Sequence, residues 1–408
     1  MIEGKILENY AELVLKVGVN LQKGQGLCIV CPVTQSKIAH ALANKAYEYG
    51  AKNVIVQWDD EELSRINFMN ADVDTLCDIP QWFVDSREYV VDNNYARIAI
   101  IADDPSIFKD VPAEKLSAFN TAKSKKLKKF MKSVMANEVR WCVVAVPFYD
   151  WAKQVFPNSS DPVSELSTAI EKTMRLDKPD HLKAWSEHIE KLAKHAKFLN
   201  DNNFEYLRFK SNNGTDIKVG LAIDHIWISA QEMAKDGVPF VANLPTEEVF
   251  TAPHAGKIDG IVKSALPLSY NGKIIDNFSL TFKGGKIVDF TAEKGYDDLK
   301  GLIQTDEGTL SIGEVALIGK NSPIAESGIL YYNTLFDENA SCHFAIGEAY
   351  PSTIKNGTAL SMEELKERGY NESLEHVDFM IGTKDLEIIG ITFDGKEVPV
   401  FKDGEWVI

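Results

Sequence analysis

The sequence is poor in cysteine: five among 408 residues (Cys28, Cys31, Cys77, Cys142, Cys342), an odd and sparse set. Free buried thiols fit this better than a disulfide framework, and they point to a reducing compartment. Long hydrophobic runs are missing too. The longest, such as Trp141 to Phe148, have strand length, far short of the roughly 18 to 20 residues that span a bilayer, so no membrane partner is expected. Positive charge is the minority: 44 basic against 60 acidic residues leave −16, a balance that repels a phosphate backbone and argues against nucleic acid. The first residues, MIEGKILENYAELVLK, lack the basic region, apolar block and cleavage site of a secretory signal. A cytoplasmic location is expected. HExxH, GxSxG and GxGxxG do not occur, which removes the zincin, the α/β-hydrolase and the usual dinucleotide site.

What is present is ordinary globular composition, with 45% hydrophobic and 25% charged residues, on a chain longer than one domain usually needs. The first half alternates strand and helix signals: GLCIVCP, an amphipathic stretch Ser36 to Tyr49 closed by Gly50, then NVIVQW, ARIAIIA and WCVVAVP. Short apolar runs separated by helices predict a largely parallel sheet covered on both faces. Helical patterns from Pro157 lead to a polar turn, Asn200-Asp201-Asn202-Asn203, taken as the linker. Beyond it, YLRFKSNNGTDIKV, FSLTFKGGKIVDF and GITFDGKEVPVFKDGEWVI carry the turn residues of antiparallel hairpins. Helices are predicted within this half at Tyr296 to Ile303 and Asp337 to Tyr350. The expected architecture is an N-terminal α/β domain over residues 1–200 and a C-terminal sheet-rich α+β domain over 201–408.

Several motifs have bland explanations that outweigh the chemical ones. Cys28 and Cys31 form CxxC, but a spacing of three on a strand puts them on opposite faces. His181, His188 and His195 recur every seven residues, so neighbours lie about 10 Å apart and cannot share one metal; a solvated helix face is expected. The lysines from Lys123 to Lys132 share a predicted helix with an apolar stripe of Leu127, Phe130, Met131 and Val134, which favours a solvated face over a nucleic-acid patch. GITFDGK is followed by Glu397 where a phosphate loop needs Ser or Thr, and its context is a hairpin.

The stronger signals fall in the second half. In HVDFMI, His376 and Asp378 at i and i+2 project from one face of a strand. In FDENASCHFAIGEAY, Asp337 or Asn339 caps the predicted helix, placing His343, Gly347 and Tyr350 on one helical face. Glu314 in SIGEVALI is a carboxylate on a mostly apolar strand, with Ile312 and Ala316 as same-face neighbours, and Glu247-Glu248 precedes VFTAP. A carboxylate in such surroundings is costly unless paired or bound to a cation. Together these groups supply the N/O donors of zinc, cobalt or manganese sites. The charges of two divalent ions, three carboxylates and a hydroxide nearly cancel, so a buried dinuclear centre is electrostatically feasible.

The stretches NLPTEEVFTAP, TDEG with SIGEVAL, SGILYYNTLFDENASCHFAIGEAYP and HVDFMIGT closely resemble the M29 family of metalloaminopeptidases, and the looser N-terminal match extends the resemblance over essentially the whole chain. The resemblance implies two divalent metal ions per subunit, zinc or cobalt with magnesium and manganese as alternatives. Its implied ligands are Glu248, Glu314, His343, His376 and Asp378, with Glu314 bridging and Tyr350 at or beside the metals. A hydroxide shared by the ions would attack the first peptide bond of a short peptide with a free N-terminus. Glu248, Glu314 or an acid nearby would carry the proton, and Tyr350 would ligate or steady the oxyanion. A homodimer enclosing a chamber is also implied, with the N-terminal half as wall, gate and dimer contact. Two rivals remain: a dinuclear phosphoesterase, which would want basic groups at the site where Lys384 is the nearest in sequence, and a peptide-binding protein without turnover.

Overall fold

Near-continuous apolar strands need cover on both faces, and the first half of the chain supplies it. A computed structural model describes residues 2–102, 107–270 and 273–408, with only the backbone of Ala113. It divides into two compact units, Met1–Ser186 with Gln231–Pro245, and Glu187–Ala230 with Thr246–Ile408. The first is built on a five-stranded sheet in the order Asn53–Asp59, Gly26–Pro32, Ala96–Ile101, Trp141–Ala145, Asn243–Leu244, with every pair parallel. The predicted runs are the first four of these strands. The Ser36–Glu48 helix buries Ile38, Ala39, Leu42 and Ala46, the helical spacing read from the sequence. Asp60, Asp72 and Asp161 cap the helices that follow them by accepting backbone N–H bonds.

In the second unit a nine-stranded sheet contains the predicted hairpins: Tyr206–Lys210 pairs with Asp216–Leu221, Lys273–Lys283 with Lys286–Lys294, and Glu387–Ile391 with Glu397–Lys402. A separate four-stranded antiparallel sheet runs Val249–Thr251, Ile312–Leu317, His343–Gly347, His376–Met380. One face of the small sheet joins the core of the unit: Phe344 meets Phe209 of the larger sheet edge-on, with centroids 5.0 Å apart, and Phe379 packs on Phe278. The other face carries the site. The order α/β, then sheet-rich α+β, is the one expected. No helix among the described residues is long and apolar enough to cross a membrane.

Three local expectations are corrected. The segment after Asp337 is not a helix reaching Tyr350. Asp337 and Asn339 fall in a short helix, Thr334–Asp337, and its one-turn 3-10 continuation, and His343–Gly347 is a strand. Five residues, HFAIG, ending on a glycine are strand length, and the alternation of Phe344 and Ile346 into the core outweighs the capping signal. His181, His188 and His195 are buried, at 6%, 8% and 7% exposure, on one long helix, His181–Asn202. Trp185, Leu192 and Leu199 interleave with them at spacings of three and four, so the histidines belong to the apolar stripe. That helix also takes in the residues read as a polar turn and closes at Asn203, whose φ is 45°. The lysine-rich stretch is two helices, Ala113–Lys126 and Lys128–Met135, and Met131 is exposed; Leu127, Phe130 and Val134 are buried as expected. All five cysteines are free.

Candidate metal centre

Strand parity sorts the residues of the small sheet. In His376–Met380, Val377 and Phe379 turn to the core and His376 and Asp378 to the opposite face; in His343–Gly347, Phe344 and Ile346 turn inward and His343 outward with them. The Ile312–Leu317 strand would break this scheme without a bulge. Its register shifts between Ile312, opposite Ile346, and Glu314, opposite Ala345. The extra residue is Gly313, where a Cβ would lie 2.2 Å from the Glu348 carbonyl oxygen. The bulge lets Ile312 and Val315 both enter the core while Glu314 faces the histidines. Ile312 is therefore not a same-face neighbour of Glu314, as a regular strand would have made it; Ala316 is.

The result is a convergence of buried acids on two imidazoles. Nε2 of His343 lies 3.3 Å from Glu314 Oε1, 3.4 Å from Glu248 Oε2 and 3.8 Å from Asp378 Oδ1. Nε2 of His376 lies 3.4 Å from the same Asp378 oxygen and 3.8 Å from Glu314 Oε2. One donor atom each from Glu248, Glu314 and His343 falls within 4.8 Å of the others. The far nitrogen of each ring is anchored: His376 Nδ1 is 2.7 Å from the Glu348 carbonyl oxygen and His343 Nδ1 3.4 Å from that of Ser341. An Nδ1–H given to a carbonyl leaves Nε2 as the atom turned to the acids, the arrangement that orients histidine ligands.

Tyr350 lies beyond the end of the strand, yet its ring reaches His376, with centroids 4.7 Å apart, and stands edge-on to Phe250. All six residues singled out in the sequence thus meet in one place. Glu247 does not: it lies 3.5 Å from His188, whose Nε2 is 2.8 Å from the Thr246 carbonyl oxygen. Asn339 accepts the Glu247 backbone N–H at 2.7 Å, so both residues before Glu248 are pinned. Sequence reading missed Glu338. It shares a small cleft with Asp378, Leu268 and Met380 and sits close enough to feel the charges of Asp378, Glu248 and Glu314. Its signal was present in the DEN triplet, but a helix starting there gave it no direction.

Burial and mutual charge set the proton affinities within this cluster. Burial and the adjacent Glu314 push the Glu248 carboxyl up to about 8. Burial raises Glu338 well above its ordinary value, and Asp378 and Glu248 add to it. Burial would lower both histidines, but Glu314, Asp378 and Glu248 around His343, and Asp378 and Glu314 around His376, hold each up to about 10. Asp378 is itself lowered: burial opposes ionisation, and His376 and His343 outweigh it. Tyr350 is raised by burial and then by Glu314 and Asp378. Among the described residues, no Lys or Arg is in ion-pair contact with Glu248, Glu314, Glu338 or Asp378, and Asp378 Oδ1 is buried without a hydrogen-bond partner. Carboxylates that crowd together with no Lys or Arg among them, around two imidazole Nε2 atoms whose protons a cation could replace, are the donor set of a divalent metal.

Residues 4–406 match the peptidase family described as thermophilic metalloprotease (M29). Aminopeptidase 2 of Geobacillus stearothermophilus is 42% identical over 404 residues, 98% of each chain. The solved structure of wild-type AmpT from Thermus thermophilus superposes with a TM-score of 0.92 at 36% identity, covering 98% of this chain and 99% of that one. A dioxygenase from Pseudomonas putida shares the fold at 12% identity and a TM-score of 0.56, so the fold alone does not decide the chemistry. The residue matches over nearly the whole chain do: this protein belongs to the M29 family of metallopeptidases.

Proposed function

We propose that the aminopeptidase activity of this M29 enzyme is carried by two divalent ions held by Glu248, Glu314, His343, His376 and Asp378. Divalent ions in such a site supply Lewis acidity, lowering the pKa of water and polarising a peptide carbonyl. The observation that carries the reading is the span of Glu314, whose two oxygens face different imidazoles, 3.3 Å from His343 and 3.8 Å from His376. A carboxylate so placed serves two positions at once.

The remaining groups have separate tasks. His343 is almost fully covered, at 1% side-chain exposure, and His376 is 21% exposed, so substrate approaches from the His376 side. Tyr350, a phenol packed against His376, donates a hydrogen bond to the oxygen that becomes negative as the carbonyl is attacked. Glu338 touches neither imidazole within ion-pair distance and lines the cleft beside Asp378, which leaves it available to pass a proton to the leaving amine. The surplus of carboxylates holds the cationic α-amine of a short peptide and repels a phosphoester, which argues against the phosphoesterase reading. Zinc or cobalt, a homodimeric assembly in which the N-terminal half forms walls and contacts, and a cytoplasmic location complete the reading; the resemblance and the free cysteines support them.

The test is release of the N-terminal residue from unblocked and N-acetylated short peptides by metal-stripped and metal-restored enzyme. Release from the unblocked peptide alone, and only with metal, is expected. Turnover of a phosphoester but of neither peptide would replace the reading, and binding without turnover would reduce the protein to a peptide-binding module.

A further inference from the structure

The parallel sheet of the first unit carries a second cavity, of about 330 Å³, at the edge where its strands begin. Gln25, Lys52, Tyr95 and Arg140, each the residue immediately before one of four adjacent parallel strands, line it together with Lys23 and Asp236. Ligands of α/β sheets gather at the opposite, carboxyl ends of the strands, so this cavity is not the fold's usual binding crevice.

Its charge runs against that of the protein. Lys23, Lys52 and Arg140 contribute three positive charges and Asp236 one negative, a surplus in a chain whose net charge is −16. Lys23 and Lys52 are exposed and, among the described residues, have no carboxylate within ion-pair distance. Arg140 is only 1% exposed; it meets Asp236 at 3.2 Å and the Asn20 carbonyl oxygen at 3.4 Å, while its Nε is buried without a hydrogen-bond partner. A buried guanidinium with an unused donor is expensive to maintain unless something else satisfies it. Tyr95 closes one wall. Its ring lies where a side chain at Gly26 would stand, and its hydroxyl donates to Asn53 at 2.9 Å. Tyr89, half-exposed at 49%, leans on that ring at 5.8 Å and leaves an aromatic surface at the wall.

We infer that this cavity binds a phosphate dianion. A phosphate monoester carries about −1.5 to −2 at neutral pH, which complements the surplus better than a single carboxylate does, and guanidinium and ammonium donors suit its oxygens. The dianion can come as inorganic phosphate or at the end of a nucleotide whose base lies on Tyr89.

Isothermal titration of the metal-loaded enzyme with inorganic phosphate and, separately, with AMP tests this. Saturable binding that the K23E/K52E double variant weakens by about tenfold or more, with peptidase activity retained, is expected. Both lysines are exposed, so the variant folds, and phosphate captured by the metal centre instead would be unaffected by it. Tighter binding of AMP assigns a nucleotide, and equal binding assigns the phosphate group alone. No saturable binding of either probe, or binding undiminished in K23E/K52E, overturns the proposal.

Discussion

Glu314 and His343 face each other at 3.3 Å from neighbouring antiparallel strands, although in a regular strand Glu314 would share its face with Ile312 and point into the core. The Gly313 bulge is what makes the meeting possible. Glu314→Gln should lower kcat/KM by about two to three orders of magnitude with loss of bound metal, because the neutral amide no longer spans the two positions. The metal-free variant should melt no lower than the metal-free parent, since one of several crowded carboxylates is gone. Elemental analysis with thermal melts checks both; full metal content with full activity would remove Glu314 from the site.

Gly313→Ala tests the bulge itself. A Cβ 2.2 Å from the Glu348 carbonyl oxygen and 2.3 Å from that of Gly347 forces the strand to shift. Destabilisation of about 2 kcal/mol or more is expected in urea unfolding, together with weaker metal retention. Unchanged stability would mean that the strand reaches the same register without the glycine.

Glu338→Gln separates proton transfer from metal holding. The substitution should cost about 100-fold or more in kcat while metal content stays at the parent level. Loss of metal in parallel with activity would make Glu338 a ligand instead.

His188→Ala should act at a distance. His188 pins the Thr246 carbonyl and lies against Glu247, two residues and one residue ahead of Glu248. A loss of about tenfold or more in metal affinity is expected, of the size seen for groups that orient ligands. A metal-binding isotherm identical to the parent's would show that Asn339 alone holds the segment.

His195 predicts acid sensitivity away from the site. Burial, with Lys191 adding to it, lowers its pKa to about 4, and its ring stacks on Trp406 at 4.2 Å. A depressed folded pKa means that the neutral ring's contribution is complete above the unfolded value of about 6.5 and is lost as pH falls toward 4. His195→Phe should flatten that part of the metal-free enzyme's stability profile. A parallel profile would place the acid response elsewhere.

The sequence made strands legible wherever apolar runs were bounded by glycine or asparagine, as in GLCIVCP and FSLTFKGGKIVDF, because local pattern and tertiary cover agree there. It misplaced His343 because Asp337 and Asn339 imitate a helix cap. Their side chains in fact serve the backbone of other segments, Asp337 accepting from Tyr331 and Asn333, and Asn339 from Glu247. The proposed ligand set came from the family resemblance; alternation alone paired His376 with Asp378 and nothing more. Glu338 and the bulge could not be seen, since each depends on contacts distant in sequence. The buried face of the His181–Asn202 helix was visible in the spacing of Trp185, Leu192 and Leu199, but polar histidines on the same stripe disguised it.

The most direct test of the central claim is stepwise metal titration of the stripped enzyme, followed by release of the N-terminal residue from an unblocked peptide. Activity should rise to a plateau at two ions per subunit, with His376→Ala and Asp378→Ala each binding fewer and releasing little. Full release by the stripped enzyme, or by either variant, would contradict it.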